Sequence, residues 1–188
     1  ISSVPGQLYD FDPQKTDILR DTERIAIQSG TQPSPIDADQ FGNVCPYWLN
    51  EFNTGFDHWN VLHRLNWTQK PMPAAKVSFA DLGLDAAKSY IVHEFWSGKT
   101  LGIVSGSFDL KAIDPMGIQS YAIREAKDRP QLVSTNRHLS QGAAEIEMLV
   151  WDEKSLTLEG RSRVIAGDDY QILARVSDGY RAVEATVD

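Results

Sequence analysis

Apolar and polar side chains alternate along the chain from residue 56 onwards. In the stretch FDHWNVLHRLNW, one set of alternate positions holds Trp59, Val61, Leu65 and Trp67, with His63 among them, and the other set is mostly polar. A β-strand points successive side chains to opposite faces, so a period of two is its signature. The pattern therefore predicts a strand over this stretch with one apolar, buried face.

Nine further runs carry strand-like patterns and are separated by turn signals rich in Gly, Asp and Pro. The clearest is SLTLEGRSRV, in which Leu156, Leu158 and Val164 share one face and polar side chains take the other. Many short strands at this spacing, without alternating helices, predict an all-β fold, an antiparallel two-sheet β-sandwich. The predicted strands cover residues 75–79, 89–96, 100–104, 117–124, 131–135, 147–152, 155–164, 169–176 and 180–187.

The N-terminal part of the chain has a different pattern. Apolar residues recur at the spacing of one helical face between an N-cap candidate, Thr16 or Asp17, and a stop signal at Gly30. The later segment PYWLNEF is apolar and aromatic, and it fits either a helical turn or a strand. We therefore predict a short helical or irregular N-terminal segment over residues 1–52 and the β-sandwich over residues 53–188.

Charge and composition narrow the range of partners. The 188 residues include 18 Lys and Arg against 26 Asp and Glu, which gives a formal net charge of −8. An acidic chain repels phosphate backbones, so we expect no nucleic-acid partner. No run of 18 apolar residues occurs, so no membrane-spanning helix is predicted. Cys45 is the single cysteine, which excludes an internal disulfide. The sequence begins with Ile1, so we expect a signal peptide or another domain to precede it in the natural protein.

The sequence carries no motif for a cofactor or a metal. His58 and His63 lie five positions apart, which places them on opposite faces of a strand and prevents them from sharing a metal ion. No glycine-rich phosphate loop is found, and no serine lies in a nucleophile-elbow pattern. We therefore assign no cofactor and no metal ligand.

A longer constellation of motifs resembles a known family. It runs VLHRLNWTQKPMPAAKVSFADLGLDAAKSYIVHEFWSGKTLG and continues with GSFDLKAIDPMGIQSYAIRE. These residues, about 61–125, resemble the C-terminal β-sandwich of α-galactosidase-like (melibiase-type) glycoside hydrolases. In that family a DLGL run precedes a strand that ends near WSGK-LG, and a Pro-(His/Met)-Gly turn leads into the last strand. The corresponding residues here are 81–84, 96–102 and 115–117.

The resemblance implies an accessory role. Catalytic residues of that family lie in a (β/α)8 barrel that precedes the sandwich, and such a barrel takes about 250 residues of alternating strands and helices. The present sequence shows no such alternation, so no catalytic residue is carried over. We expect a non-catalytic domain that packs against a barrel in the same or a partner chain, with residues 1–52 as the run-in from that barrel or a cap. Such hydrolases are often exported, and Asn66-Trp67-Thr68 matches a glycosylation sequon, so we expect a periplasmic or extracellular location.

A stand-alone carbohydrate-binding module is an alternative. Sugar rings stack on flat aromatic side chains, and the sequence has five Trp, six Tyr and seven Phe. Most of these are expected in the core. Tyr47 and Trp48 lie in the irregular segment and are the best candidates for exposure, and Asp57 is placed to contact a polyol.

A glycosidase that uses carboxylates of residues 37–57 is a further alternative. Glycoside hydrolysis needs two carboxyl groups on either side of the scissile bond. Asp37 and Asp39 are close in sequence, but their Pro-flanked loop favours turn or capping roles. Glu51 and Asp57 flank an aromatic run, where they are expected to satisfy neighbouring backbone N–H groups.

Two other segments allow both a structural and a binding interpretation. Phe95 and Trp96 precede a Ser-Gly turn. On a strand they point opposite ways, so we expect them to cover different sides of the sheet rather than form one flat platform. The polar segment NRHLSQG, residues 136–142, could bind an anion or a sugar, but a network that fastens a long connection is favoured because buried backbone groups need partners.

Overall fold

The structure, a computed structural model, describes residues 34–35, 45–167 and 169–187. The predicted N-terminal helix and most of residues 1–52 lie outside this part. Over the described residues the chain forms strands and no helix, and every strand pair is antiparallel. The strands are β1 Ser34–Pro35, β2 Tyr47–Asn53, β3 His58–Leu65, β4 Ala75–Ser78, β5 Ser89–Glu94, β6 Lys99–Ser105, β7 Ser107–Leu110, β8 Ile118–Glu125, β9 Gln131–Thr135, β10 Ile146–Asp152, β11 Thr157–Ser162 and β12 Ile172–Arg175.

A six-stranded antiparallel sheet in the order β1-β2-β3-β8-β5-β6 forms the centre of the fold. The segment PYWLNEF, whose pattern fits either a helical turn or a strand, forms most of strand β2. Strand β3 lies between β2 and β8, and its residues 59–64 are all buried. The prediction of a single buried face for β3 is therefore wrong, because other segments of the chain pack against both faces of the sheet.

The first face of the sheet packs on the antiparallel pair of β4 with β7 and on the turn that follows β4. Tyr121 contacts Phe108 of β7 with ring centroids 5.5 Å apart, and Tyr90 contacts Phe79 at 4.5 Å. Burying a large side chain of this kind contributes about 1.5–3 kcal/mol. The cluster contains Leu62, Phe79, Leu82, Tyr90, Val92, Phe108, Leu110, Tyr121 and Ile123.

The second face holds Phe52, Trp59 and Val61, and the segment from β9 to β10 covers it. The indole nitrogen of Trp59 donates to the carbonyl of Ser140 at 3.0 Å. This cover is a polar network, as predicted for residues 136–142, with Ser134 Oγ donating to Gln141 Oε1 at 2.8 Å. The other described strands form two ribbons, β9 with β12 and β10 with β11.

Several predictions for the C-terminal third are wrong. Strand β11 is shorter than the predicted 155–164, and both Leu156 and Val164 are more than half exposed. Leu156 has a left-handed backbone with φ of 53°, which ends the alternation. The predicted strand over 180–187 is absent from the described part of this segment. A two-stranded ribbon covers its neighbours with one side only, so its other side stays in water.

The Phe95-Trp96 pair lies in the turn after β5. The two rings are 5.2 Å apart at an interplanar angle of 89°. They therefore present no flat surface, as predicted, but they contact each other instead of covering opposite sides of the sheet. Among the described residues no helix has the length and apolar character needed to cross a membrane.

Candidate functional site

The three residues predicted to contact carbohydrate do not lie together. Tyr47 and Trp48 begin β2, whereas Asp57 precedes β3, and the two strands pair from Tyr47 with Arg64 to Asn53 with His58. Six residues at about 3.3 Å each separate the two ends of this pair, which is about 20 Å. The β2–β3 pair thus has an aromatic end, with Tyr47 and Trp48, and an Asp57 end. A single binding site cannot contain all three residues.

At the aromatic end, one carbonyl fixes two indole rings. Trp48 Nε1 and Trp67 Nε1 donate to the Cys45 carbonyl at 2.9 and 3.2 Å. The hydroxyl of Tyr47 accepts a hydrogen bond from Arg64 Nε at 3.1 Å. Trp67 is 48% exposed, so its predicted place in the core is wrong. The reason is that β3 ends at Leu65, and the alternation does not continue beyond it.

At the other end, the Asp57 carboxylate is held by two cations. Oδ2 lies 2.8 Å from Arg124 Nη1, and Oδ1 lies 2.6 Å from Lys127 Nζ. The Asp57 side chain is only 9% exposed. Burial alone would raise the pKa of Asp57, but the hydrogen bond from Lys127 and the charges of Arg124 and Lys127 outweigh it and lower the pKa. Asp57 is therefore a carboxylate at neutral pH.

Arg124 joins the sheet to the segment that covers it. Its guanidinium carbon lies 3.8 Å from the centre of the Trp59 ring, and its Nε and Nη2 donate to the carbonyls of Val133 and Gln141 at 3.0 and 2.6 Å. Burial lowers the pKa of Arg124 to about 10, against the opposing effect of Asp57. The guanidinium remains charged near neutral pH and satisfies partners on three sides.

A small cavity of about 20 Å³ lies beside Asp57, between the β2–β3 loop and the β10–β11 hairpin. Trp151 lines it, and the buried indole nitrogen of Trp151 has no hydrogen-bond partner. This volume holds one water-sized group, not a sugar ring. The complete lining is Phe56, Asp57, Lys127, Arg129, Gln131, Leu132, Leu149, Trp151 and Leu158.

Glu145 is a second buried carboxyl group, and its pKa is shifted in the opposite direction from that of Asp57. Burial raises its pKa, and the Thr135 hydroxyl donates to its Oε1. A lowered pKa on one carboxyl group and a raised pKa on another is the pattern of a general base and a general acid. Glu145 does not line the cavity beside Asp57, however, and the cavity has no room for a substrate between them.

The remaining candidates have internal partners. His58 bonds Glu51 at 2.8 Å on the surface, and His63 bonds Ser120 Oγ at 3.0 Å inside, where burial lowers the pKa of His63 to about 4. Within residues 45–167 and 169–187, no three His, Cys, Asp or Glu side chains are grouped to hold a metal ion. Asp37 and Asp39 lie outside the described residues.

Comparison with known proteins gives structural neighbours only. No protein-family model matches the sequence, and no curated protein matches it. A GH27 β-L-arabinopyranosidase from Geobacillus stearothermophilus, in its arabinose complex, is 15% identical over 65% of this chain and 26% of its own, with a TM-score of 0.45. The wild-type enzyme is 16% identical over 64% of this chain and 26% of its own, with a TM-score of 0.44.

α-Galactosidase I from Mortierella vinacea is 19% identical over 50% of this chain and 23% of its own, with a TM-score of 0.37. The chain spans about a quarter of the length of each of these enzymes.

Proposed function

We propose that this chain is the non-catalytic C-terminal β-sandwich domain of an α-galactosidase-like glycoside hydrolase. In this proposal it packs against a catalytic (β/α)8 barrel in the same or a partner chain. By analogy with the structural neighbours, the substrates of the complete enzyme in this proposal are α-galactosides or β-L-arabinopyranosides. The proposal starts from the motif constellation over residues 61–125.

The motif residues have structural roles in this chain, which supports a shared fold. Leu82 of DLGL is in the core. The Glu94 carboxylate accepts from the backbone nitrogens of Trp96 and Ser97 and so fixes the turn that begins WSGK. A side chain at Gly117, the end of the Pro-Met-Gly turn, would place its Cβ 2.7 Å from Ile113. These positions need their residues for folding rather than for chemistry.

One observation carries the non-catalytic part of the proposal: each buried carboxyl group of the described residues accepts at least one hydrogen bond from an internal partner. Asp57 is bound by Arg124 and Lys127, and Glu94 by backbone N–H groups. Glu145 accepts from Thr135 through Oε1, while its Oε2 is buried without a partner. A glycosidase needs two carboxyl groups that face a sugar-sized space. The cavity beside Asp57 lacks that space.

The test has two measurements. The isolated chain is assayed with 4-nitrophenyl α-D-galactopyranoside and 4-nitrophenyl β-L-arabinopyranoside, and we expect no turnover above buffer. An antibody to this chain is then used to recover the native product, which should be larger by a barrel of about 250 residues or should bring down a chain that contains one. Turnover by the isolated chain, or a native product that lacks both, would contradict the proposal.

Carbohydrate binding is the second candidate, and the aromatic end favours it. Trp67 presents 48% of its surface to water while its indole N–H is already bonded to Cys45, so the exposed ring is rigid and needs no polar partner. Binding to a glycan array that Trp67→Ala abolishes would support it, with Trp96→Phe, a substitution in the turn after β5, as the control. An array without signal would remove this candidate.

We also propose that the chain functions in the periplasm or outside the cell. This rests on the family resemblance alone, because the folded protein uses the sequon amide internally. Asn66 Nδ2 donates to the carbonyls of Lys70 and Asp114 at 2.8 and 2.9 Å. Cell fractionation with the same antibody tests the location, and a signal confined to the cytosol would contradict it.

A further inference from the structure

The cavity beside Asp57 and its opening to solvent, together called the cleft here, are lined by residues that have unused hydrogen-bond donors. Trp151 has a buried indole N–H without a partner. The guanidinium of Arg129 makes no hydrogen bond or ion pair among the described residues. Lys127 lines the cavity, its ammonium group makes one bond to Asp57, and its side chain is 32% exposed, so further donors remain on that group. Three residues that carry donors of different chemistry thus line one space.

Acceptors in the same space are already used. Both oxygens of Asp57 are bonded, and Gln131 Oε1 accepts from the Lys127 backbone nitrogen at 2.6 Å. Of the charged groups in the lining, Lys127 and Arg129 are positive and Asp57 is negative, and Arg124 adds a further positive charge behind Asp57. The local charge is therefore positive on a chain whose formal net charge is −8. Such a site attracts an anion with two or more acceptor oxygens.

Size and walls limit the ligand further. The enclosed part of about 20 Å³ accepts a single oxygen-sized group. Around it, the rings of Phe56 and Trp151 and the side chains of Leu149 and Leu158 form an apolar wall. A carboxylate could place one oxygen in the cavity and the other against Arg129, with the rest of the ligand against the wall. A pyranose ring has apolar C–H faces that suit such a wall.

We propose that this cleft binds the carboxylate of an acidic sugar, such as a uronic acid residue of a glycan. The saccharide part rests on the proposed function, whereas the carboxylate part rests on the donors alone. Arg129 makes the paired contact that guanidinium groups form with carboxylates, Lys127 supplies charge, and the Trp151 N–H fixes the inner oxygen. Asp57 keeps Lys127 in position and does not contact the ligand.

The experiment follows the indole N–H signal of Trp151 by two-dimensional ¹H–¹⁵N NMR, assigned with Trp151→Phe. The probes are D-galacturonate, D-galactose and acetate at constant ionic strength. We expect a saturable shift with galacturonate at a Kd on the order of 1 mM, as for a small ligand with one charged group. Acetate should bind at least about ten-fold more weakly, since it lacks the ring, and galactose should leave the signal unchanged.

Two substitutions separate the contacts. Arg129→Ala should weaken galacturonate binding at least about ten-fold, because a charge-assisted pair is lost. Arg161→Ala is the matched control, since it removes the same charge from the outer face of β11, opposite Met148, and should leave the Kd unchanged. Trp151→Phe keeps an aromatic ring but removes the pyrrole half of the indole together with its N–H, and its binding is followed through the Lys127 amide signal. It should weaken binding about ten-fold.

The outcomes are distinct. An unchanged Trp151 signal with all three probes, or an equal loss in Arg161→Ala, would overturn the proposal. If galactose bound as tightly as galacturonate, the carboxylate part of the proposal would be wrong. If acetate bound as tightly as galacturonate, the saccharide part would be wrong. None of these results depends on turnover or on the mass of the native product, so failure here is separate from failure of the proposed function.

Discussion

Residues 45–125 and residues 126–187 have similar alternating patterns but differ in how deeply the strands are buried. In the first region, β3 and β5 lie inside a six-stranded sheet and are buried along almost their whole length. In the second region, the ribbons expose Val150 by 52% and Ile172 by 54%. Packing against another layer of the structure, and not the strand's own pattern, decides whether its apolar face is dry.

Burial follows this packing rather than the sequence region. Strand β6 belongs to the first region, yet Ile103 on this strand is 50% exposed because β6 is the last strand of its sheet. Conversely, Leu132 and Val133 of β9 in the second region are buried, because β9 covers the second face of the sheet. Single substitutions can test how far the two regions depend on each other.

The largest effect is expected at Arg124, which connects the regions. Arg124→Ala leaves the buried Asp57 carboxylate with one cation and the carbonyls of Val133 and Gln141 without their donor. We expect a loss of about 5 kcal/mol in the free energy of unfolding, since removing one partner of a buried pair exposes an uncompensated charge. Urea denaturation measures it.

Two further variants sharpen the Arg124 result. Asp57→Asn in the Arg124→Ala background should recover part of the loss, because it removes the buried charge. Arg163→Ala, whose guanidinium pairs with Glu147 on the surface, should change stability by less than about 0.5 kcal/mol. A loss at Arg124 as small as the loss at Arg163 would show that the regions are independent.

The second effect contrasts the two kinds of apolar position. Phe108→Ala removes a ring that contacts Phe79 and Tyr121 in the first core, and we expect a loss of about 4 kcal/mol. Val150→Ala, on the outer side of β10, should cost less than about 0.5 kcal/mol. Chemical denaturation of both variants under one set of conditions measures the contrast. Similar losses would contradict the burial difference.

The third effect is a pH dependence of opposite sign in the two regions. Burial lowers the pKa of His63 from 6.5 to about 4. The unfolded chain binds the proton first as pH falls, so stability is full above pH 6.5 and is lost as pH falls through 4, by about 3 kcal/mol in total. Glu145 has a raised pKa, so its contribution is full below about pH 4.5, its unfolded value, and is lost as pH rises through the folded pKa.

Unfolding free energies between pH 4 and pH 8 separate these two groups. His63→Gln should flatten the decrease on the acidic side, and Glu145→Gln should remove the decrease towards higher pH. An unchanged pH profile in His63→Gln would mean that His63 is not the group that titrates.

The smallest effect is expected at Leu156. Its left-handed backbone at φ 53° is strained for a residue with a Cβ, and its side chain is 60% exposed. Leu156→Gly should therefore stabilise the β10–β11 hairpin by about 0.5–1 kcal/mol. The melting temperature measures it, and a decrease would show that the side chain packs more than its exposure indicates.

Part of the candidate site was visible in the sequence. The sequence identifies Asp57 as a candidate, for contact with a polyol. It does not identify the two cations that bind Asp57, because Arg124 and Lys127 lie 67 and 70 positions away along the chain. Trp151 is one of five tryptophans, and no sequence motif gives it a role. No local signal identifies a buried indole N–H without a partner, since that depends on what the neighbouring strands leave open.

The sequence by itself determined the all-β class, most strand positions and the resemblance to α-galactosidase-like hydrolases, because alternation and turn residues act within a few positions. Only the tertiary structure decided which apolar faces are dry and separated Tyr47 and Trp48 from Asp57. It also placed Arg124 between Asp57 and the segment that covers Trp59. These features depend on contacts between residues that are distant in the chain, and a periodic pattern contains no information on which strands become neighbours.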